Sequence, residues 1–190
     1  KWVTSTGSVF YGDKYSNTFV TPGNYLFSFI SGTNYGCYDT TKVVAKVYPT
    51  PVVKAAPDVL VCAGNKITIS ATGADKYSWY PNDGLSCTDC QTPIASPNKS
   101  TYYTVKGTTV YGCIAYDTIL VTVIPNFKIN VSRSDSICIG DSVLLLATGA
   151  KYYDWAPSIG LSSINSQNPY AKPLKTTQYR VVGFDEYGCF

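Results

Sequence analysis

Apolar side chains fall in short runs along this chain and rarely hold a helical period. Ile67, Ile69 and Ala71 alternate with Thr68 and Ser70, the two-residue rhythm of a strand buried on one face. Tyr103 and Val105 share one face of the run Thr101 to Lys106, and Leu26, Phe27, Ser28 and Phe29 alternate further upstream. Val59-Leu60-Val61, Tyr77-Ser78-Trp79-Tyr80 and Ile119 to Val123 are further short runs, rich in the β-branched and aromatic residues that suit a pleated surface. Between the runs lie Ala63-Gly64-Asn65, Thr72-Gly73 and Asn82-Asp83-Gly84, residue types that supply turns. Short strands at this spacing predict an all-β chain folded as β-sandwiches.

The pattern recurs with a period of 76 residues. Residues 62–114 align without a gap on 138–190, and 24 of the 53 pairs are identical, far more than chance gives. Ala71-Thr72-Gly73-Ala74 meets Ala147-Thr148-Gly149-Ala150, Trp79 meets Trp155, and Tyr111-Gly112-Cys113 meets Tyr187-Gly188-Cys189. One period upstream stands Tyr35-Gly36-Cys37, in a region that has otherwise diverged. Tyr48-Pro49-Thr50-Pro51 and Ile124-Pro125-Asn126 read as short, stiff linkers. The expected modules are 1–50, 51–125 and 126–190, the first short of its beginning and the third of its last strand. Near-constant units on stiff linkers predict a rod of tandem repeats.

Composition narrows the class. The chain has 190 residues, of which 45% are hydrophobic and 14% charged, which suits globular structure rather than disorder. Its net charge of +3 comes from Lys and Arg scattered singly, so neither nucleic acid nor an anionic membrane is an expected partner. No apolar stretch is long enough to span a bilayer as a helix. Tyr occurs 17 times, and there is no His and no Met. Without His the commonest general base is missing. No Gly-rich phosphate loop or metal motif appears, and no pair of Asp residues recurs in both repeats as a glycosidase would need. The expectation is no enzyme, no cofactor and no bound metal. Calcium through Asp58, Asp83, Asp135 or Asp141 lacks the close run of acidic residues that would support it.

Seven cysteines in a chain of this size point to an oxidising compartment. Cys62 and Cys113 bracket Trp79, and Cys138 and Cys189 bracket Trp155 at the same spacing. An immunoglobulin-like core pins its sheets with that arrangement, so the expected staples are Cys62–Cys113 and Cys138–Cys189. Cys87-Thr88-Asp89-Cys90 has a spacing used in redox and zinc sites. The other copy carries Ser163 and Ser166 at those places. Two cysteines gained or lost together fit a mutual bond that braces a loop. Cys37 is left over, its partner expected in the missing start of the first module.

The motifs Ala-Thr-Gly at 71–73, Tyr-x-Trp-x-Pro at 77–81, Gly-Leu-Ser at 84–86, Thr-x-Tyr-x-Val at 101–105 and Tyr-Gly-Cys at 111–113 resemble the immunoglobulin-like repeats of giant secreted adhesins of Bacteroidetes, the SprB-type gliding-motility adhesins. Thr21-Pro22-Gly23-Asn24-Tyr25 in the first module resembles the related PKD domain. The resemblance covers essentially the whole chain. It implies export by the type IX system, an outer-membrane-associated cell-surface location and adhesion. It also implies O-glycosylation at Asp-Ser/Thr motifs, for which Thr40, Thr118, Ser136 and Ser142 are the candidates.

Two functions remain in play. In one, the repeats of a filamentous adhesin themselves touch extracellular polysaccharide or a solid surface, through the divergent loops 86–92 and 162–168. In the other, they form a passive stalk or scaffold, with neighbouring repeats of the same chain as their partners and the ligand-binding tip elsewhere. Trp79 and Trp155 are expected in cores rather than on a sugar-binding surface.

Overall fold

A computed structural model describes residues 1–190 and contains strands, turns and coil, with no helix. The strands of the first part are β1 (Trp2–Thr4), β2 (Val9–Phe10), β3 (Gly23–Gly32), β4 (Tyr38–Val47) and β5 (Lys54–Ala55). Next come β6 (Val59–Cys62), β7 (Ile67–Thr68), β8 (Ala71–Thr72), β9 (Lys76–Tyr80), β10 (Ile94–Ala95), β11 (Thr101–Thr108) and β12 (Ile114–Ile124). The last are β13 (Asn130–Val131), β14 (Val143–Leu144), β15 (Ala147–Thr148), β16 (Tyr152–Ala156), β17 (Tyr170–Ala171) and β18 (Arg180–Phe184). The chain is an all-β protein of tandem β-sandwich repeats. Its contacts divide it into two compact units, residues 1–56, 68–93 and 103–119 in the first, and 57–67, 94–102 and 120–190 in the second. That division cuts through the middle repeat.

In the first unit, β1 to β4 form an antiparallel sheet in the order β2-β1-β3-β4. Phe27 is buried there, and Tyr15 lies against it with ring centroids 5.7 Å apart. Farther along, β9 pairs antiparallel with β11, with Trp79 opposite Val105. Alternation along β11 sends Tyr103, Val105 and Gly107 inward, as its sequence predicts. Ile69, Ala71, Trp79, Tyr103, Val105 and Ile119 are all nearly or wholly buried. Gly73 has φ of +92°, and a Cβ there would collide with the Val52 carbonyl oxygen, so no other residue fits this turn.

The run Ile67 to Ala71 reads as one strand, and the structure breaks it. Ile67–Thr68 pairs with β10, whereas Ala71–Thr72 pairs with β5. The amides of Ile69 and Ala71 donate to the carbonyls of Pro93 and Gln91, at 3.0 and 3.1 Å. The chain changes partner here while keeping the same residues inward, which alternation alone does not reveal.

In the second unit, β6 runs parallel to the end of β12, pairing Val59 with Val121 and Cys62 with Ile124. The third repeat packs Ala147, Tyr153 and Trp155 against Leu145, Ala150, Leu161, Tyr179 and Val181. Every one of these positions has its counterpart 76 residues earlier, and the bonds recur with them. The Tyr77 hydroxyl donates to Ala74 O at 2.8 Å, as that of Tyr153 does to Ala150 O at 3.0 Å.

Tyr103 and Tyr179 make another matched pair, donating to the backbone carbonyls of Asp83 and Ile159, each at 2.7 Å. Burial raises the pKa of the Tyr103 phenol above its ordinary 10.0, and Asp83 adds to the effect. Burial alone raises that of Tyr179. The folded state therefore holds these protons more tightly than the unfolded one. Their contribution is complete below about pH 10 and is lost as pH rises through the folded pKa. Tyr103→Phe should cost about 0.5–1.5 kcal/mol near neutrality. In urea titrations it should also reduce the fall in stability above pH 10.

Candidate functional site

The cysteines are joined in a way that corrects the sequence expectation. Cys62 is bonded to Cys189, with Cα atoms 5.6 Å apart and a sequence separation of 127. Neither Cys62–Cys113 nor Cys138–Cys189 forms. Cys113 and Cys138 are free thiols, as is Cys37. The reason lies in the direction of β6. Because it runs parallel to β12 and reaches Ile124 at Cys62, Cys62 lies at the far end of β12 from Cys113. On the order of 35 Å of extended chain separates those positions, and a disulfide needs Cα atoms within about 7 Å. The staple thus links the start of one repeat to the end of the next instead of pinning sheets across one core.

The turns that carry these cysteines are built alike. Asn65 N donates to Cys62 O at 3.0 Å, and Asp141 N to Cys138 O at 3.1 Å. The late cysteines close a second kind of turn. Thr33 N donates to Cys37 O, Thr109 N to Cys113 O and Asp185 N to Cys189 O, at 3.0, 2.9 and 3.0 Å. Gly36, Gly112 and Gly188 donate back to Thr33, Thr109 and Asp185, each with φ near +80°. Beside Cys113 lies Tyr48, whose carbonyl is 3.9 Å from the Cys113 Sγ and whose ring stacks on Tyr111 at 3.7 Å.

The divergent loops are firmly held. Cys87 and Cys90 are bonded to each other. Trp79 Nε1 donates to Cys90 O, and Trp155 Nε1 to Ser166 O, both at 2.9 Å. Each tryptophan amide also donates into its loop, Trp79 N to Thr88 O at 2.7 Å and Trp155 N to Ile164 O at 2.8 Å. Trp79 and Trp155 are 2% and 5% exposed, so neither indole offers a face to a ligand. Their role is to fix loops 86–92 and 162–168 to the core.

A groove that the sequence reading missed lies in the third repeat, with a volume of ≈ 760 Å³ and a lining that includes Pro157, Ile159, Leu174 and Thr177. Ile159 and Leu174 are 74% and 78% exposed. In the second repeat Asp83 and Asn98 hold those positions. This polar-to-apolar exchange between copies was the available signal.

No family model and no curated protein matches the chain. Among solved structures, it aligns with the N-terminal eight immunoglobulin domains of Down syndrome cell adhesion molecule. That alignment has 15% identity and a TM-score of 0.46, over 96% of this chain and 36% of that one. Sidekick-1 immunoglobulin domains 1–5 align at 13% identity and a TM-score of 0.39, over 97% and 50%. A Ca²⁺-stabilised, ice-binding adhesin of an Antarctic bacterium aligns at 10% identity and a TM-score of 0.34, over 87% and 46%. The chain spans about a third to a half of the length of these structures.

The hydroxyl-bearing residues Thr40, Thr118, Ser136 and Ser142 are all exposed. The carboxylates of Asp39, Asp117 and Asp135 each accept the amide of the next residue, at 2.8, 2.9 and 2.8 Å. Other aspartates serve the backbone at longer range, Asp58 accepting from Leu120 N and Asp117 from Ala55 N, both at 2.8 Å. No three His, Cys, Asp or Glu side chains converge where they would hold a metal ion. No helix is long and apolar enough to cross a membrane.

Proposed function

We propose that the chain is the repeat region of a secreted, cell-surface filamentous adhesin and performs no catalysis. The observation that carries this reading is the bond from Cys62 to Cys189, which ties consecutive repeats covalently and lets tension pass from one to the next without unfolding the segment between. Disulfides also fit an extracellular setting. The motif resemblance adds the finer reading: PKD-like and immunoglobulin-like modules at 1–50, 51–125 and 126–190, export by a type IX system, attachment that serves gliding, and O-glycosylation at the four exposed hydroxyls. Extracellular polysaccharide or a solid surface is the ligand class, and loops 86–92 and 162–168 are the contact surfaces, since they vary between copies on a fixed frame.

The second reading, a passive stalk, draws on the burial of Trp79 and Trp155, which removes two large aromatic faces from the surface. Adhesion of the purified, oxidised chain to a polysaccharide panel and to glass, beside an unrelated β-sandwich, separates the two. Retention above the control, lost on exchanging loop 162–168 for a Gly/Ser segment, supports contact through the repeats. A folded chain that binds nothing supports the stalk.

A further inference from the structure

We propose that Tyr48 and Tyr111 form a site of oxidative cross-linking, at which hydrogen peroxide and a haem peroxidase join the two rings by a carbon–carbon bond into an intrachain dityrosine. The inference goes beyond the adhesive reading and does not depend on it.

The two rings lie face to face, with centroids 3.7 Å apart and planes 5° from parallel. Both sit on fixed backbone. Tyr48 directly follows β4, which pairs with β3 as far as Val47, and Pro49 comes next, restricting the chain on that side. Tyr111 lies in the turn between β11 and β12. Thr109 N closes that turn by donating to Cys113 O at 2.9 Å, and Val110 N anchors it by donating to the Asp75 carboxylate at 2.8 Å. Tyr48 is 37% exposed and Tyr111 61%, so an oxidant in solution reaches both.

The pairing is selective. The chain has 17 tyrosines, yet no other ring contact joins two of them. Tyr15 meets Trp2, Phe10 and Phe27, and Tyr25 meets Phe19. One period later Ile124 and Tyr187 hold the two places, and a second phenol is lacking there.

In the reaction each phenol gives up one electron and one proton. The resulting tyrosyl radicals carry spin on the ring carbons beside the oxygen and combine at those carbons. The hydrogen on each coupled carbon then moves to the oxygen of its own ring. Two tyrosines and one hydrogen peroxide become one dityrosine and two waters. Rings already in contact make the coupling an intramolecular step, which needs one ring to slip over the other and no movement of strands. The product ties the end of β4 to the β11–β12 turn by a bond that thiols cannot cut, unlike Cys62–Cys189.

The test treats the full-length chain at low concentration with a haem peroxidase and hydrogen peroxide. Tyr48→Phe and Tyr111→Phe are treated alongside, since each keeps a ring in the stack and removes one phenol. The monomer band is read for dityrosine fluorescence, and its digest for linked peptides. The expected result is a fluorescent wild-type monomer with a peptide pair joined through Tyr48 and Tyr111, two hydrogens lighter than the sum of its parts. Either variant should lose most of that fluorescence. A monomer without the linked pair overturns the proposal. So do fluorescence undiminished in both variants, or linkage confined to other tyrosines. Should a variant fail to fold by circular dichroism, the mapped wild-type peptides decide alone.

Discussion

Trp79→Ala is expected to destabilise the first unit by about 3–5 kcal/mol, the range for emptying a buried aromatic site. Two losses combine. The indole is 2% exposed and sits opposite Val105 on the neighbouring strand, so its removal leaves a cavity among side chains that cannot all move in. Its Nε1–H also tethers the loop at Cys90, and the freed carbonyl must find water. Trp79→Phe separates the terms, retaining most of the apolar contact and losing the tether, so its cost should be clearly smaller. Trp155→Ala should act alike on the second unit, since Trp155 repeats both the burial and the bond to Ser166. Urea unfolding followed by circular dichroism, fitted as two transitions, reads both effects. A loss under about 1 kcal/mol for either alanine variant would mean that the indole is not a core residue.

The second large effect belongs to Cys62–Cys189. A bond closing 127 residues restricts the unfolded chain by about 5 kcal/mol in the chain-entropy model, a large share of the stability of an ordinary domain. Cys62→Ser should therefore lower the unfolding midpoint of the second unit strongly. Cys113→Ser, which breaks no bond, should stay within about 0.5 kcal/mol of wild type. Pairing within repeats would instead make the two substitutions equally harmful.

Much of this architecture was legible in the residues. The period of 76 is plain from Ala71-Thr72-Gly73-Ala74 and its copy, and shared burial and shared hydrogen bonds follow from it. Alternation placed Tyr103 and Val105 inward. The mutual bond of Cys87 and Cys90 had its clue in Ser163 and Ser166. The direction of β6 had none. Val59-Leu60-Val61 reads the same whether it pairs parallel or antiparallel, yet that choice alone decides which end of β12 Cys62 reaches. An immunoglobulin-like bracket around Trp79 suggested the wrong partner because both pairings use one early and one late cysteine. The switch at Ile69–Ser70 was hidden for a related reason, since burial continues through it while the paired strand changes.

Single-molecule pulling from the two termini tests the covalent link between repeats most directly. In the oxidised chain, the segment between Cys62 and Cys189 should stay shielded however far the rest extends. Adding reductant under load should then release 127 residues in one step, about 420–460 Å of contour at 3.3–3.6 Å per residue. Two separate releases of about 170–180 Å each, the signature of bonds closed within single repeats, would contradict the account.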